Sequence, residues 1–275
     1  PLRHPEASRN WSNVCARLSE TLSSLQTCCE SGDADIMLIA NTAAQLPPLP
    51  PAVTVIRVSD PAPPVSIFRG ESDDQARRAA VWRDKGRKLA AGAIAARARG
   101  SRYVMPVDAD DLVSREIPAF VKAHAGSPGW YVTQGWLLPI GSRVGVILED
   151  FLNWCGTYVI VRLDLLPLGD SVDGSDQAMI SSWLGHHRDL LPALARQGHI
   201  LQPLPFPAAV YRIGHGDNNF QRHSLVSEVF GWPKLKKNPR QYLRRLLKIR
   251  LFSARQEAIF TGTSGQPTGA TVAGR

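Results

Sequence analysis

The sequence has few cysteines and no long hydrophobic run, and each absence excludes a class of protein. A membrane-spanning helix needs about 18 or more consecutive apolar residues, and no stretch of the 275 residues provides them. Four cysteines occur, none at the spacing of a zinc site, so we expect reduced thiols rather than a disulfide framework. With no signal-peptide pattern at the start of the sequence, a cytoplasmic location is expected.

The excess positive charge is concentrated in one segment. Of the 32 lysines and arginines, nine lie in a stretch without acids: Lys234, Lys236, Lys237, Arg240, Arg244, Arg245, Lys248, Arg250 and Arg255. The remaining 23 face 24 aspartates and glutamates, and this near-neutral balance argues against nucleic acid as the main ligand. Leucines at helical spacing predict a basic amphipathic helix over residues 239–258. Such a helix either lies peripherally on an anionic membrane or packs on the protein body with a solvated basic face.

Helical and strand patterns alternate along the first 213 residues. Helices are predicted over residues 12–29, 84–99, 115–124, 174–185 and 188–197. Strands are predicted over residues 35–41, 53–58, 103–107, 130–138, 144–148, 155–161, 199–204 and 209–213, with a loop over 61–80. This alternation is typical of a doubly wound α/β sheet.

The chain divides into three parts by composition. A domain over residues 1–220 contains two halves that meet near residue 112. A basic helical extension follows over residues 221–260. Residues 261–275 are rich in Gly, Thr and Ser, which predicts a disordered tail.

The stretch YVMPVDADD ends a buried-strand pattern in three acids: Asp108, Asp110 and Asp111. Ligands of open α/β sheets bind at the carboxyl ends of strands, and two such carboxylates suit Mg²⁺ or Mn²⁺ held together with substrate phosphates. An EF-hand loop is excluded because Leu112 occupies the next ligand position and no glycine follows. A haloacid-dehalogenase motif is disfavoured because Asp111 stands where Thr or Val is expected. A solvated acidic turn remains an alternative.

Several segments together resemble a GT-A glycosyltransferase, similar to the family 2 enzymes that use nucleotide-diphosphosugars. The helix DKGRKLAAGAIAARARG leads into the DxD strand as it does in that family, and the segment over residues 156–203 resembles its acceptor side. The resemblance covers about residues 1–215 and implies a GT-A, Rossmann-like mixed sheet flanked by helices. Two departures stand out. The family's frequent Glu-Asp pair falls on His186 and His187, and its Arg-Asn pair falls on Ala91 and Gly92.

The resemblance implies a donor site and a divalent cation, Mn²⁺ or Mg²⁺. The donor-binding residues would be Leu2, Arg3, Asn41, Asp60, Lys85, Lys88, Asp108 and Asp111. The metal ligands would be Asp110, with Asp108 directly or through water, and His215 from a glycine-flanked turn. Each role has a plainer alternative. Asp111 would cap the next helix, His215 would be a surface-turn histidine, and the helix cations, Arg87 included, would form a solvated face.

An inverting transfer also needs a base to take the proton of the acceptor hydroxyl. His187 is the positional candidate, beside His186, and Asp176 in the sequence GSDQ competes with it. Glu149 and Asp150 are further carboxylates that the sequence leaves open. Three tryptophans either stack on acceptor sugars or belong to the core: Trp130, Trp136 and Trp154.

These expectations combine into one function and one alternative. The chain is expected to transfer a sugar from a nucleotide-diphosphosugar, a UDP-sugar first, to a saccharide or lipid-linked acceptor. Such a reaction serves the synthesis of surface polysaccharide or glycoconjugate. The alternative is a GT-A-like module that binds a sugar nucleotide or glycan without catalysis, which the missing Glu-Asp pair favours. A nucleotidyltransferase is disfavoured because no Gly-rich, Arg- and Lys-bearing phosphate loop occurs near the start.

Overall fold

The computed structural model describes residues 1–63, 74–186, 188–214 and 247–262 of the chain. Within these residues the strands form three sheets flanked by helices, so the expected mixed α/β class is confirmed. The described strands do not form one continuous doubly wound sheet. They form a parallel pair, a four-stranded mixed sheet and a five-stranded mixed sheet.

The first half opens as predicted with α1 (Trp11–Cys29), β1 (Ile36–Asn41) and β2 (Val53–Val58). The side chain of Asn10 caps α1 by accepting a hydrogen bond from the Asn13 amide at 3.1 Å. The two strands run parallel and in register along their whole length. Their carboxyl ends therefore meet at one edge, and the polar residues that follow them come together there.

The next helix, α2 (Asp74–Ala98), is 25 residues long and begins ten residues before the predicted start. The loop prediction for residues 61–80 is therefore wrong from residue 74 onward, because this charged, alanine-containing stretch has good helix propensity. Gly86 lies within α2 where a Cβ would come within 2.5 Å of the Ile180 carbonyl oxygen. This glycine allows α2 to pack closely on the second half of the molecule.

The remaining elements are short. The strands are β3 (Tyr103–Val104), β4 (Leu112–Val113), β5 (Gly129–Tyr131), β6 (Gly135–Pro139), β7 (Val144–Leu148), β8 (Val159–Arg162), β9 (Gln202–Pro203), β10 (Ala209–Ile213) and β11 (Ile249–Leu251). The helices are α3 (Ile117–Ala123), α4 (Gln177–Met179), α5 (Leu190–Arg196) and α6 (Ala254–Thr261), and a π-helical segment (Ile180–Gly185) continues α4. The four-stranded sheet has the order β3-β8-β5-β9, and the five-stranded sheet has the order β11-β7-β6-β10-β4.

Four predicted strands are shorter or divided, and the one predicted over residues 199–204 is reduced to Gln202–Pro203. The strand predicted over residues 130–138 is split between β5 and β6, which belong to different sheets. The strand predicted over residues 103–107 ends after Val104 because the chain turns there. In this turn the Asp111 amide donates to the Asp108 carbonyl at 3.1 Å. The strand predicted over residues 155–161 begins only at Val159. The acidic motif and residues 155–158 are thus irregular backbone placed between sheets.

The predicted C-terminal helix is wrong over residues 247–253, and of its described part only the last five residues, 254–258, are helical. Residues 249–251 form β11, which pairs antiparallel with β7, and a separate helix, α6, begins after Ser253 with a capping box. Leu251 of the predicted apolar stripe is exposed, because its strand lies at the sheet edge. Residues 239–246 of that prediction, and the predicted tail from residue 263, lie outside the described residues. No described helix is both long and apolar enough to cross a membrane.

Candidate functional site

Polar side chains gather at the carboxyl ends of β1 and β2. Asn41 is the last residue of β1, and its side-chain amide donates to the Asp60 carbonyl at 3.0 Å. Asn41 is only 1% exposed, and its Oδ1 has no hydrogen-bond partner among the described residues. A buried oxygen without a partner costs about 1–3 kcal/mol, so this end of the strand pair is suited to receive a donor group from a ligand.

Helix α2 brings three cations to this edge. Arg87 binds the Asp60 carboxylate through Nε at 2.5 Å and Asp173 through an Nη at 2.8 Å. Lys85 binds Asp108 at 2.5 Å. Lys88 binds Asp84, one turn earlier, at 2.8 Å. We call Asp60, Lys85, Arg87, Lys88 and Asp108 the charged cluster.

The three cations differ in exposure. Lys88 is only 1% exposed, so a solvated helix face is ruled out for it. Burial lowers the pKa of Lys88, and Asp84 offsets this only in part. Burial would also lower the pKa of Lys85, but the charge and hydrogen bond of Asp108 outweigh it, and the pKa is raised. Lys85 therefore remains a cation across the neutral range, and it lies nearer to solvent than Lys88.

Gly156 makes room for the pair formed by Lys85 and Asp108. A Cβ at this position would lie 2.5 Å from the Asp108 Oδ2 and would also collide with the Lys85 ammonium. The Asp108 amide donates to the Thr157 hydroxyl at 2.9 Å, which fixes the backbone that carries the carboxylate. The segment over residues 155–157 thus forms one wall of the site.

Asp111 occupies the interior of this wall and not the ligand side. It is 1% exposed, and its Oδ2 accepts hydrogen bonds from the Thr157 hydroxyl at 2.6 Å and the Cys155 thiol at 2.9 Å. Burial first, and then the charges of Asp110 and Asp108, raise the pKa of Asp111 well above its usual range. Helix α3 begins after Glu116 and not at Asp111, so the capping alternative is wrong.

Asp110 is held from the opposite side by a buried arginine. The Arg212 Nε on β10 donates to the Asp110 carbonyl at 2.6 Å, and the same guanidinium forms an ion pair with Glu20 of α1. Another Nη lies 3.2 Å from the Thr21 hydroxyl. Sequence reasoning missed Arg212, Thr157 and their neighbours. One signal was present, since an arginine inside the apolar run AVYRI is unusual unless it is paired.

The described residues contain no group of three or more His, Cys, Asp or Glu side chains that could hold a metal ion. His215, the expected third ligand, lies outside the described residues. Asp108 is partly exposed and has a fixed backbone, whereas Asp111 is buried and already accepts two hydrogen bonds. The expected ligands Asp108 and Asp110, both half-buried, therefore fit a hard cation. Such a cation takes one or two protein carboxylates and completes its shell with phosphate oxygens and water.

The candidate bases lie on the segment over residues 176–189. Asp176 caps α4, where its Oδ1 accepts hydrogen bonds from the amides of Ala178 and Met179 at 2.9 and 3.1 Å. The His186 Nδ1 lies 2.9 Å from an Asp189 carboxylate oxygen, and its ring contacts Trp82. His187 lies outside the described residues. Of the other carboxylates, Glu149 forms an ion pair with Lys248, and Asp150 also makes a contact.

Two of the three tryptophans belong to the core, the alternative to sugar stacking, and the Leu2 side chain is also buried. Trp130 and Trp136 are buried, and they pack against Phe120 and Phe252 respectively, so neither is available to stack on a sugar. Trp154 is half-buried. Leu2 points into the core beside α1, although its amide binds the Ile39 carbonyl of β1 at 2.8 Å and brings Arg3 toward the charged cluster.

No protein-family model matches the chain, and a comparison with curated proteins also finds no match. The arrangement therefore has to be interpreted from its own chemistry. It contains paired cations beside partly exposed carboxylates, and an unsatisfied buried amide oxygen at the carboxyl end of a parallel strand. Such an edge is suited to a ligand with a polar ring and a negatively charged phosphate group.

Proposed function

We propose that the chain is a metal-dependent glycosyltransferase of the GT-A type. It would move a sugar from a nucleotide-diphosphosugar, with a UDP-sugar as the first candidate, to a saccharide or lipid-linked acceptor with inversion at the sugar. The observation that carries the proposal is the charged cluster, because α2 joins Arg87 to Asp60, which follows β2, and joins Lys85 to Asp108 of the acidic motif. The resemblance of the DxD region to family 2 enzymes supports the same interpretation.

Each polar group then has a role in donor binding. Asn41, with its unpartnered oxygen, and Asp60 are suited to the base and ribose of the nucleotide. Lys85 and Arg87 are suited to the diphosphate, because charge-assisted hydrogen bonds to phosphate are short and strong. Asp110 and Asp108 would hold Mn²⁺ or Mg²⁺. When bound, the cation supplies Lewis-acid stabilisation of the charge on the departing nucleoside diphosphate.

The acceptor hydroxyl must lose a proton to a nearby base. Among the described candidates, His186 is best prepared, since the Asp189 carboxylate at 2.9 Å from its Nδ1 orients the ring. Asp176 already accepts two amide hydrogen bonds as the cap of α4, which engage one of its oxygens. His187 stays a prediction. We propose that His186 or His187 accepts the proton.

The basic stretch over residues 234–255 is the basis for a proposal about the acceptor and the place of action. A lipid-linked acceptor would bring the chain to the inner face of an anionic membrane, where the basic stretch over residues 234–255 would make peripheral contact. Of this stretch, Lys248, Arg250 and Arg255 are described, and Lys248 pairs with Glu149. The reaction would then serve the synthesis of surface polysaccharide or glycoconjugate.

A second candidate is a GT-A-like module that binds a sugar nucleotide or glycan without turnover. Two observations support this candidate. The Asp176 carboxylate is engaged as the cap of α4, and histidines occupy the positions of the family's Glu-Asp pair. Tight donor binding without hydrolysis or transfer, with acceptors present, would favour this candidate over the transferase.

The test is calorimetric binding of UDP, GDP and CDP, with and without Mn²⁺, to wild-type protein and to Asp110→Ala. We expect one nucleotide to bind with Mn²⁺ and the binding to be lost in the variant. Gly156→Ala should also weaken binding, because its methyl group displaces Lys85 and Asp108, whereas Gly174→Ala provides a control near an exposed serine. Well-folded protein that binds none of the three nucleotides would refute the proposal.

A further inference from the structure

The pair formed by Lys85 and Asp108 places a lysine on the carboxylate that is expected to serve the metal. The ammonium lies 2.5 Å from the Asp108 Oδ1, and both side chains are partly exposed. Arg87 and Lys88, by contrast, bind Asp60 and Asp84. Of these three cations, Lys85 is therefore the one whose partner belongs to the acidic motif itself.

The position of this pair is fixed by its surroundings. The Thr157 hydroxyl holds the Asp108 amide at 2.9 Å, and the same hydroxyl donates to the buried Asp111. Gly156 lies against both the ammonium and the other Asp108 oxygen, where even one additional carbon would collide. Such close packing shows that the ion pair occupies a formed site rather than a loose contact on the surface.

We infer that Lys85 couples nucleotide binding to metal binding by occupying Asp108 until a diphosphate draws the ammonium away. This inference rests on the proposed function and specifies the order of events at the same site. In the free protein the lysine and a divalent cation compete for one carboxylate, because two cations at a single oxygen repel each other. A bound diphosphate offers Lys85 a stronger partner and releases Asp108 to the metal.

The coupling has a quantitative consequence. Mn²⁺ alone binds weakly to the wild-type protein, and nucleotide tightens it by a factor that equals the tightening of nucleotide by Mn²⁺. Removing the lysine charge should strengthen the binding of Mn²⁺ alone by about tenfold and reduce the mutual tightening by a similar factor. A lysine that serves only the phosphate would leave the binding of Mn²⁺ alone unchanged.

The experiment measures free Mn²⁺ by electron paramagnetic resonance, first without nucleotide and then with UDP, GDP or CDP at saturation. The variants are Lys85→Gln and Lys85→Met, both neutral and close in length, so that one remains if the other fails to fold. Asp108→Asn reports whether the bound Mn²⁺ uses this carboxylate. The matched control is Lys122→Gln, which breaks a 2.7 Å pair with Asp33 outside the site.

The outcomes separate the inference from the proposed function. Tighter binding of Mn²⁺ alone in a neutral Lys85 variant, unchanged binding in Lys122→Gln and loss in Asp108→Asn would support the inference. Equal Mn²⁺ affinity in wild-type and Lys85 variants, with binding still lost in Asp108→Asn, would overturn the inference and leave the metal site standing. Failure of all three nucleotides to bind with or without Mn²⁺ would overturn both.

Discussion

The charged cluster, with the acidic motif beside it, and the candidate bases of residues 176–189 make hydrogen bonds of different range. In the cluster, Arg87 and Asp60 are separated by 27 residues and Asp108 and Thr157 by 49, and in the motif Arg212 and Asp110 are separated by 102. In the segment, Asp176 binds amides two and three residues later, and His186 binds Asp189 three residues later. The hydrogen bonds of these two candidate bases are therefore local, although their segment packs on α2, where Arg87 also donates to the Gln177 side chain at 2.7 Å.

This difference affects what each region can do on binding. A cluster fixed by distant elements is preorganised for its ligand and loses its geometry when any of those elements moves. The hydrogen bonds of Asp176 and His186, by contrast, lie within the segment and do not depend on distant elements. Donor binding should thus be sensitive to distant substitutions, whereas the orientation of these two side chains should depend mostly on residues of the segment.

The largest effect is expected at Arg212, the longest-range contact with the acidic motif. Arg212→Leu should lower the free energy of unfolding by about 3 kcal/mol, because it leaves the Asp110 carbonyl and the buried Thr21 hydroxyl without their donor. Urea denaturation measures this loss, and Arg250→Leu on the exposed edge strand is the control. A loss at Arg212 no greater than that of the control would contradict the view that tertiary contacts hold the motif.

A middle-sized effect is expected at Asp111. Asp111→Ala should lose about 2 kcal/mol, because the Thr157 hydroxyl and the Cys155 thiol lose their shared acceptor. Asp111→Asn keeps an acceptor oxygen for both donors and should remain within about 1 kcal/mol of wild type. The two variants are compared by thermal unfolding in metal-free buffer.

The same pair of proteins tests the raised pKa. The pKa of Asp111 is higher in the folded protein than the unfolded value of about 3.9, so this acid stabilises the fold at pH values below the unfolded pKa. The stability is lost as the pH rises from the unfolded pKa to the folded pKa. Asparagine does not ionise at this position. The stability of Asp111→Asn relative to wild type should therefore increase as pH rises above about 4, and parallel pH profiles would argue against the raised pKa.

The smallest effect is expected at Asp176, whose hydrogen bonds are local. Asp176→Ala should lose about 1 kcal/mol by removing the cap of α4, and Asp176→Asn should lose less because the amide oxygen still accepts hydrogen bonds. Neither variant should change nucleotide affinity, which calorimetry measures. A loss of nucleotide binding in Asp176→Ala would show that the segment and the charged cluster act as one unit.

Much of the fold was predictable because periodicity depends on local sequence. The patterns for α1, β1, β2, β7 and β10 predicted those elements closely. Errors occurred where tertiary contacts override local preference. Residues 249–251 carry a helical leucine pattern, yet β7 offers backbone partners at a sheet edge and the chain becomes a strand there. The run over residues 130–138 was divided because its two halves pair in different sheets.

The sequence alone determined which residue types surround the candidate site: an acidic motif at the end of a short strand and cations on the helix before it. The tertiary structure decided which of them meet. It directed Lys88 and Asp111 inward, left Lys85 and Asp108 facing one another, and brought Thr157 and Arg212 to hold the motif. The physical reason is that burial and pairing depend on distant parts of the chain, about which a local pattern holds no information.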